Sequence, residues 1–189
     1  FQNKNGGLTR VEYVDKKVVV EDYDNSFKLL SSWSTQPELP KWGGFFAGEN
    51  YNFMIFGQDN PSESSSAEVI RVVQYTKDWK RIKSASLYGA DTKEPFNSGS
   101  LRCDEYGGYL YIRTCHTMFN HSDGLNHQAN FMFAIRQSDM TITDSFSMGG
   151  NDYGYVSHSF NQFVIVNKDG QVVTLDHGDT FPRGIVFTK

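Results

Sequence analysis

The chain has 189 residues, with 18 Lys+Arg against 22 Asp+Glu and a formal net charge of −4, so it lacks the basic surface that electrostatic nucleic-acid binding requires. Phe 15, Tyr 10 and Trp 3, at a mean hydropathy of −0.51, describe a polar surface over an aromatic core, which excludes a disordered chain. No apolar run approaches the length of a membrane span.

The first seven residues, FQNKNGG, have neither the charged start nor the apolar centre of a signal peptide. Val18–Ser32 then reads as an apolar strand, a polar turn of Asp and Asn, an apolar anchor (Phe27) and a second short strand. A Pro-containing linker, Thr35–Lys41, follows. Gly44–Phe56 is a second kind of unit: small residues, a tight turn, then an aromatic-aliphatic strand anchored at Phe53. A polar insertion, Asp59–Ala67, leads into Ser64–Leu87, where Val69, Val72, Val73 and Thr76 also fit helical spacing. The β-branched and aromatic residues of that stretch favour strands, and Val72–Ser84 repeats the Val18–Ser32 pattern with Trp79 at the anchor.

After the loop Tyr88–Asn97, Leu101–Ile112 repeats the Gly44 unit, with Tyr109 at the anchor and Gly107-Gly108 supplying a hairpin turn. That turn sets Cys103 opposite Ile112 and Cys115 opposite Ser100. The two cysteines are therefore expected as free thiols, and they do not decide the redox compartment. A second insertion, Met118–His127, precedes Phe133–Ser145, the third copy of the first pattern, anchored at Met140. The segment Gly149–Tyr153 then links to Tyr155–Val166, the third copy of the second pattern, anchored at Phe163.

Anchors Phe27, Trp79 and Met140 are 52 and 61 positions apart, and Phe53, Tyr109 and Phe163 are 56 and 54 apart. Two sub-motifs sharing one period predict an all-β repeat protein: a single β-propeller domain of about 3.5–4 four-stranded antiparallel blades, with units near 8–34, 42–87, 97–148 and 153–189. The chain opens partway through a blade, so the expectation is a piece of a larger ring, or a ring completed by a second copy or a further segment. Such a piece exposes sheet edges and apolar blade faces.

Three stretches, Glu49–Gln58, Asp123–Asn130 and Asp176–Arg183, carry a resemblance to uncharacterised secreted or cell-surface propeller proteins of Gram-positive bacteria. The resemblance implies a β-propeller in an extracellular or cell-surface setting and no established activity. The sequence departs from WD repeats (no Gly-His…Trp-Asp pairs), from kelch repeats, and from sialidase propellers with their Ser-x-Asp-x-Gly-x-x-Trp box.

All five histidines lie between residues 116 and 177. His121, Asp123 and His127 offer a set of Zn or Ca ligands, at a spacing that matches no standard motif, and a loop ordered by polar side chains explains them equally. His116 and His127 are also ligand-binding candidates. Asp176, His177 and Asp179, with Arg183 nearby, provide two carboxylates and an imidazole for acid–base chemistry, or else a turn stapled by Asp179 and Arg183. His158 and Arg183 are further candidates for holding a polar ligand near a propeller axis. Trp33, Trp42 and Tyr88 are suited either to stacking on sugar rings or to filling the space between sheets. The leading expectation is a binding or scaffold module for a glycan or protein, with no obligatory cofactor. The alternative is a carbohydrate-active hydrolase or lyase using the 176–183 loop.

Overall fold

A computed structural model of the chain describes residues 1–97, 100–148, 159–178 and 184–189. The described residues form fifteen strands and no helix, arranged as four antiparallel sheets in chain order. The first sheet is β1 (Leu8–Val14), β2 (Lys17–Tyr23) and β3 (Leu29–Thr35). The second is β4 (Lys41–Ala47), β5 (Asn52–Gly57), β6 (Glu68–Tyr75) and β7 (Arg81–Tyr88). In the third, β8 (Thr92–Pro95) and β9 (Arg102–Tyr106) share one edge of β10 (Tyr109–Asn120), followed by β11 (Asn126–Arg136) and β12 (Thr141–Met148). The fourth is β13 (Ser159–Val166), β14 (Val172–Gly178) and β15 (Gly184–Thr188).

Side chains alternate across a strand, so β5 can serve two interfaces at once. Met54 and Phe56 meet Val18 and Val20 of the first sheet. Phe53 and Ile55 meet Leu110, Ile112 and Phe133 of the third. All of these are essentially sealed from water. Each large apolar side chain so buried contributes roughly 1.5–3 kcal/mol. Trp42 ties the first interface together, stacked on Tyr13 at 6.2 Å and tilted against Phe56 at 5.4 Å.

The stretch with helical spacing holds no helix: β6 and β7, joined by the Thr76–Lys80 turn, pair from Glu68↔Tyr88 to Tyr75↔Arg81. Gly107 and Gly108, both at positive φ, turn the β9–β10 hairpin and set Cys103 opposite Ile112. Cys115 does not face Ser100. Pairing with β9 stops at Arg113↔Arg102 and β8 takes over the edge from His116, Cys115 pairs with Asn130, and Ser100 turns away to bond Gln162 on the fourth sheet. Neither cysteine forms a disulfide, and burial pushes the Cys103 thiol well up, which makes it a poor nucleophile.

Phe96 is seated between β8 and β9, and two glycines of the second sheet make room for it. A Cβ on Gly43, the extra residue of a bulge in β4, would lie 2.7 Å from the Phe96 ring, and one on Gly57 would lie 2.6 Å from it. Both positions exclude any larger residue unless the ring moves.

The repeat anchors occupy one backbone niche. Phe27, Trp79 and Met140 have φ of 62°, 63° and 61° at the hairpins that close the first, second and third sheets. In the first two the anchor N–H bonds back to the residue three before it (Phe27 to Asp24 O, 3.1 Å; Trp79 to Thr76 O, 3.0 Å). Met140 closes a related turn onto Arg136 O at 2.9 Å. Glycine holds the same position at Gly6, Gly124 and Gly170. A left-handed conformation costs an L-residue roughly 1–2 kcal/mol. Met140 offsets that cost by burying its side chain in the core, whereas Phe27 is 75 % exposed. Phe27→Gly is therefore expected to hold stability or raise it by up to about 1 kcal/mol in a urea titration. Met140→Gly should lower stability by about 2–5 kcal/mol in the same urea titration.

Candidate functional site

The third and fourth sheets meet through polar groups. Arg113 on β10 and Asp176 on β14 are both fully buried. The guanidinium grips the carboxylate with two bonds, Nε to Oδ1 at 3.0 Å and Nη2 to Oδ2. Around them Gln162 accepts the Ser100 N–H (2.8 Å) and donates to Asn130 Oδ1 (3.3 Å), and Asp104 accepts the Val166 N–H (2.6 Å). Both Asp176 oxygens are thus committed to holding two sheets together. His177, the next residue, lies on the opposite, exposed face of β14, so the two do not share a site. Asp179, Arg183 and His158 lie outside the described residues.

His116 is buried on the other face of β10, stacked on Phe131 at 4.8 Å. Thr92 Oγ1 donates its single proton to Ala90 O (2.8 Å), so its 2.6 Å contact with His116 Nδ1 requires that nitrogen to carry the hydrogen. Burial lowers the imidazole pKa from 6.5 to about 4. The unfolded chain then binds this proton more readily than the folded one. The contribution to stability is complete above pH 6.5 and is lost as the pH falls toward 4. His116→Gln is expected to remove about 3 kcal/mol of the acid destabilisation seen between those limits by denaturant titration.

The two insertions meet at one edge. Glu63 accepts the Asn120 N–H (2.8 Å) and the Asn126 side-chain amide (2.9 Å), with Lys93 at 3.2 Å, and these bonds hold its carboxyl below the usual range, the Asn120 bond most of all. Asp123 pairs with His127 at 2.7 Å and accepts the Leu125 N–H at 3.0 Å. His121 lies edge-on to His127 at 5.5 Å and faces Asp91 at 3.6 Å. Asp123 and His127 are therefore together, while His121 turns to a different carboxylate. Among the described residues no three His, Cys, Asp or Glu side chains converge on a metal position.

A cleft of about 930 Å³ opens between the first and second sheets, lined in part by Trp33, Trp79, Asp22, Ser31, Thr9, Lys77 and Glu49. Trp33 and Trp79 form an angled apolar wall, with centroids 5.9 Å apart at 56°. Pairing across β1, β2 and β3 aligns Thr9, Asp22 and Ser31 in one row, in which Asp22 accepts from Thr9 Oγ1 (2.5 Å) and Ser31 Oγ (3.1 Å). Lys77 donates to Gly48 O (2.6 Å) and Asn52 Oδ1 (2.7 Å), and burial lowers its pKa. Asp78 is held ionised at about 2 by the Thr76 hydroxyl and Lys80. In the sequence Trp33 stands out as an aromatic suited to sugar stacking, whereas Trp79 is marked only as a repeat anchor. The Thr9–Asp22–Ser31 row carries no local motif, because only strand register brings it together.

No family model matches the chain, and no curated protein matches it. Solved structures do. The chain resembles an ACO/RPE65 chimera at a TM-score of 0.50 and 11 % identity, over 95 % of this chain and 42 % of that one. It resembles a GH43 protein from Bacillus licheniformis at 0.45 and 11 %, over 72 % and 27 %. An endo-1,4-beta-xylanase from Bacteroides thetaiotaomicron follows at 0.40 and 13 %, over 96 % and 70 %. The chain spans less than half the length of the first two. The likeness to the chimera is one of fold.

Asp176→Ala, which removes the carboxylate that grips a buried guanidinium, is expected to cost about 3–5 kcal/mol in chemical denaturation. Asp123→Ala, which breaks an exposed pair, should cost less than about 1 kcal/mol.

Proposed function

We propose that this chain is a propeller-like, carbohydrate-directed binding protein of an extracellular or cell-surface setting, and that the cleft between its first and second sheets takes the sugar. The observation that carries this reading is the Thr9–Asp22–Ser31 row lying beside Trp33 on one face of the first sheet, with Trp79 from the second sheet against Trp33, all lining one cleft. A pyranose has an apolar C–H face and a rim of hydroxyls. An aromatic wall suits the first, and a carboxylate flanked by hydroxyls suits the second. The cleft volume also falls in the range of small-ligand sites.

Binding is the reading taken because Asp22, the carboxylate of the row, already accepts from the Thr9 and Ser31 hydroxyls beside the aromatic wall. The hydrolytic alternative rests on Asp179, which lies outside the described residues. The propeller-like arrangement belongs to the same proposal. It is supported by the apolar faces that close the first sheet on the second and the second on the third, and by contacts such as Glu105 of β9 on the Glu49 N–H beside β4.

Titration of tryptophan fluorescence with xylo- and arabino-oligosaccharides tests the reading. Saturable quenching is expected, weakened at least tenfold by Trp33→Ala and severalfold by Asp22→Asn. Absence of saturable binding across the panel would sink it. Release of reducing ends in the same samples would move the chain to the hydrolytic alternative.

A further inference from the structure

The row beside Trp33 has a one-sided capacity for hydrogen bonds. A hydroxyl has a single proton to give. Thr9 Oγ1 gives its proton to Asp22 Oδ1 (2.5 Å), and Ser31 Oγ gives its own to Asp22 Oδ2 (3.1 Å). What the three side chains keep for the cleft is therefore lone pairs alone, on two hydroxyls and on a carboxylate whose oxygens each accept more than one bond. Asp22 also lacks a counter-ion. Among the described residues, the ion pairs of the first sheet and of the cleft lining join Arg10 to Glu12 and Glu21, and Lys80 to Asp78, and Asp22 enters none of them. The cations of the lining are engaged elsewhere. Lys77 donates to Gly48 O and Asn52 Oδ1, and the charges acting on it are those of Glu105 and Lys4. Lys4 lies in an exposed turn.

We infer that the sugar taken by this cleft is an amino sugar, with its ring on Trp33 and its protonated amine on the Thr9–Asp22–Ser31 row. The inference rests on the carbohydrate reading above and narrows it. The first argument is the count of donors. An ammonium has three N–H donors and no lone pair, the complement of a wall that only accepts. A sugar hydroxyl brings one proton and lone pairs that gain nothing there. Acetylation of the amine removes the charge and adds a carbonyl acceptor. The second argument is charge. Asp22 is half-buried, where a carboxylate without a counter-ion is costly, and an ammonium supplies one through charge-assisted bonds. The third argument is position. Asp22↔Ser31 and Val20↔Trp33 are two residues apart on each strand, so the carboxylate and the indole share a face in adjacent rows. A pyranose resting on the indole holds its amine one bond outside the ring, toward the next row. The π face of the same indole attracts the cation as well.

Titration of tryptophan fluorescence with a β-1,4-linked glucosamine trimer, and with the same trimer after N-acetylation, tests this. At about pH 6 the carboxylate and the amine are both largely charged. The free amine is expected to bind at least ~10-fold more tightly than the acetylated trimer, and than xylotriose. Asp22→Asn, which keeps the size of the side chain, should erase that preference. Trp33→Ala should weaken both trimers, which a bare surface ion pair would not do. With the unaltered chain, raising the ionic strength from about 20 to about 500 mM should shrink the advantage of the amine and leave xylotriose binding unchanged, a readout that needs no variant to fold. Equal affinity for the two trimers, an advantage indifferent to salt, or one that survives in Asp22→Asn, overturns the inference. Saturable binding of xylotriose would then leave the carbohydrate reading standing. Absence of saturable binding by all three sugars would sink both.

Discussion

Alternation of side chains along a strand gives every sheet two faces, and a strand that is apolar at successive positions needs both of them covered. β5 is the extreme case. Its residues Asn52–Gly57 are all buried, with Met54 and Phe56 serving one neighbour and Phe53 and Ile55 the other. A sheet with that sequence cannot stand alone or as one half of a two-layer sandwich. It must be an interior layer, and the sheets before and after it must each bring an apolar face of their own. The order of the four sheets follows from this requirement, as does the chemistry at the places where it is relaxed.

It is relaxed in two ways. Between the third and fourth sheets the buried surface is polar, and its cohesion comes from the Arg113–Asp176 pair and the amides around it. Apolar faces hold layers together without fixing their relative position, but a bidentate pair has one geometry. Between the first and second sheets the apolar contact gives way to the cleft with its two indoles. Trp79 is at a left-handed position, where glycine would be easier, and its side chain reaches Trp33 and Tyr75. The strained backbone and the aromatic wall are therefore one feature.

Much of the architecture is legible in the sequence because it rests on local rules. The β-branched content of Val69–Tyr75 decides strand over helix, and Gly107-Gly108 sets a hairpin whose register places Cys103 against Ile112. The matched anchors Phe27, Trp79 and Met140 share a backbone conformation that is visible in the sequence as recurrence. The site residues were harder to read, since side-chain direction depends on which face a neighbour covers. Asp176 and His177 are adjacent in sequence, yet they point to opposite faces, one into an ion pair with a residue 63 positions away. Thr9, Asp22 and Ser31 come level only through pairing across three strands. Cys115 missed its expected neighbour because β9 ends early, where Ser100 leaves the edge to bond Gln162.

The grip of Arg113 on Asp176 has a bearing on how such a protein changes over time. Either residue alone, replaced by a neutral one, leaves a full charge sealed away from solvent and deprived of its bidentate counter-charge. An apolar pair of similar volume is a tolerable end point, but each single step toward it passes through a poorly folding intermediate. These two positions, so distant along the chain, are tethered in descent: drift at one is permitted only in the company of drift at the other.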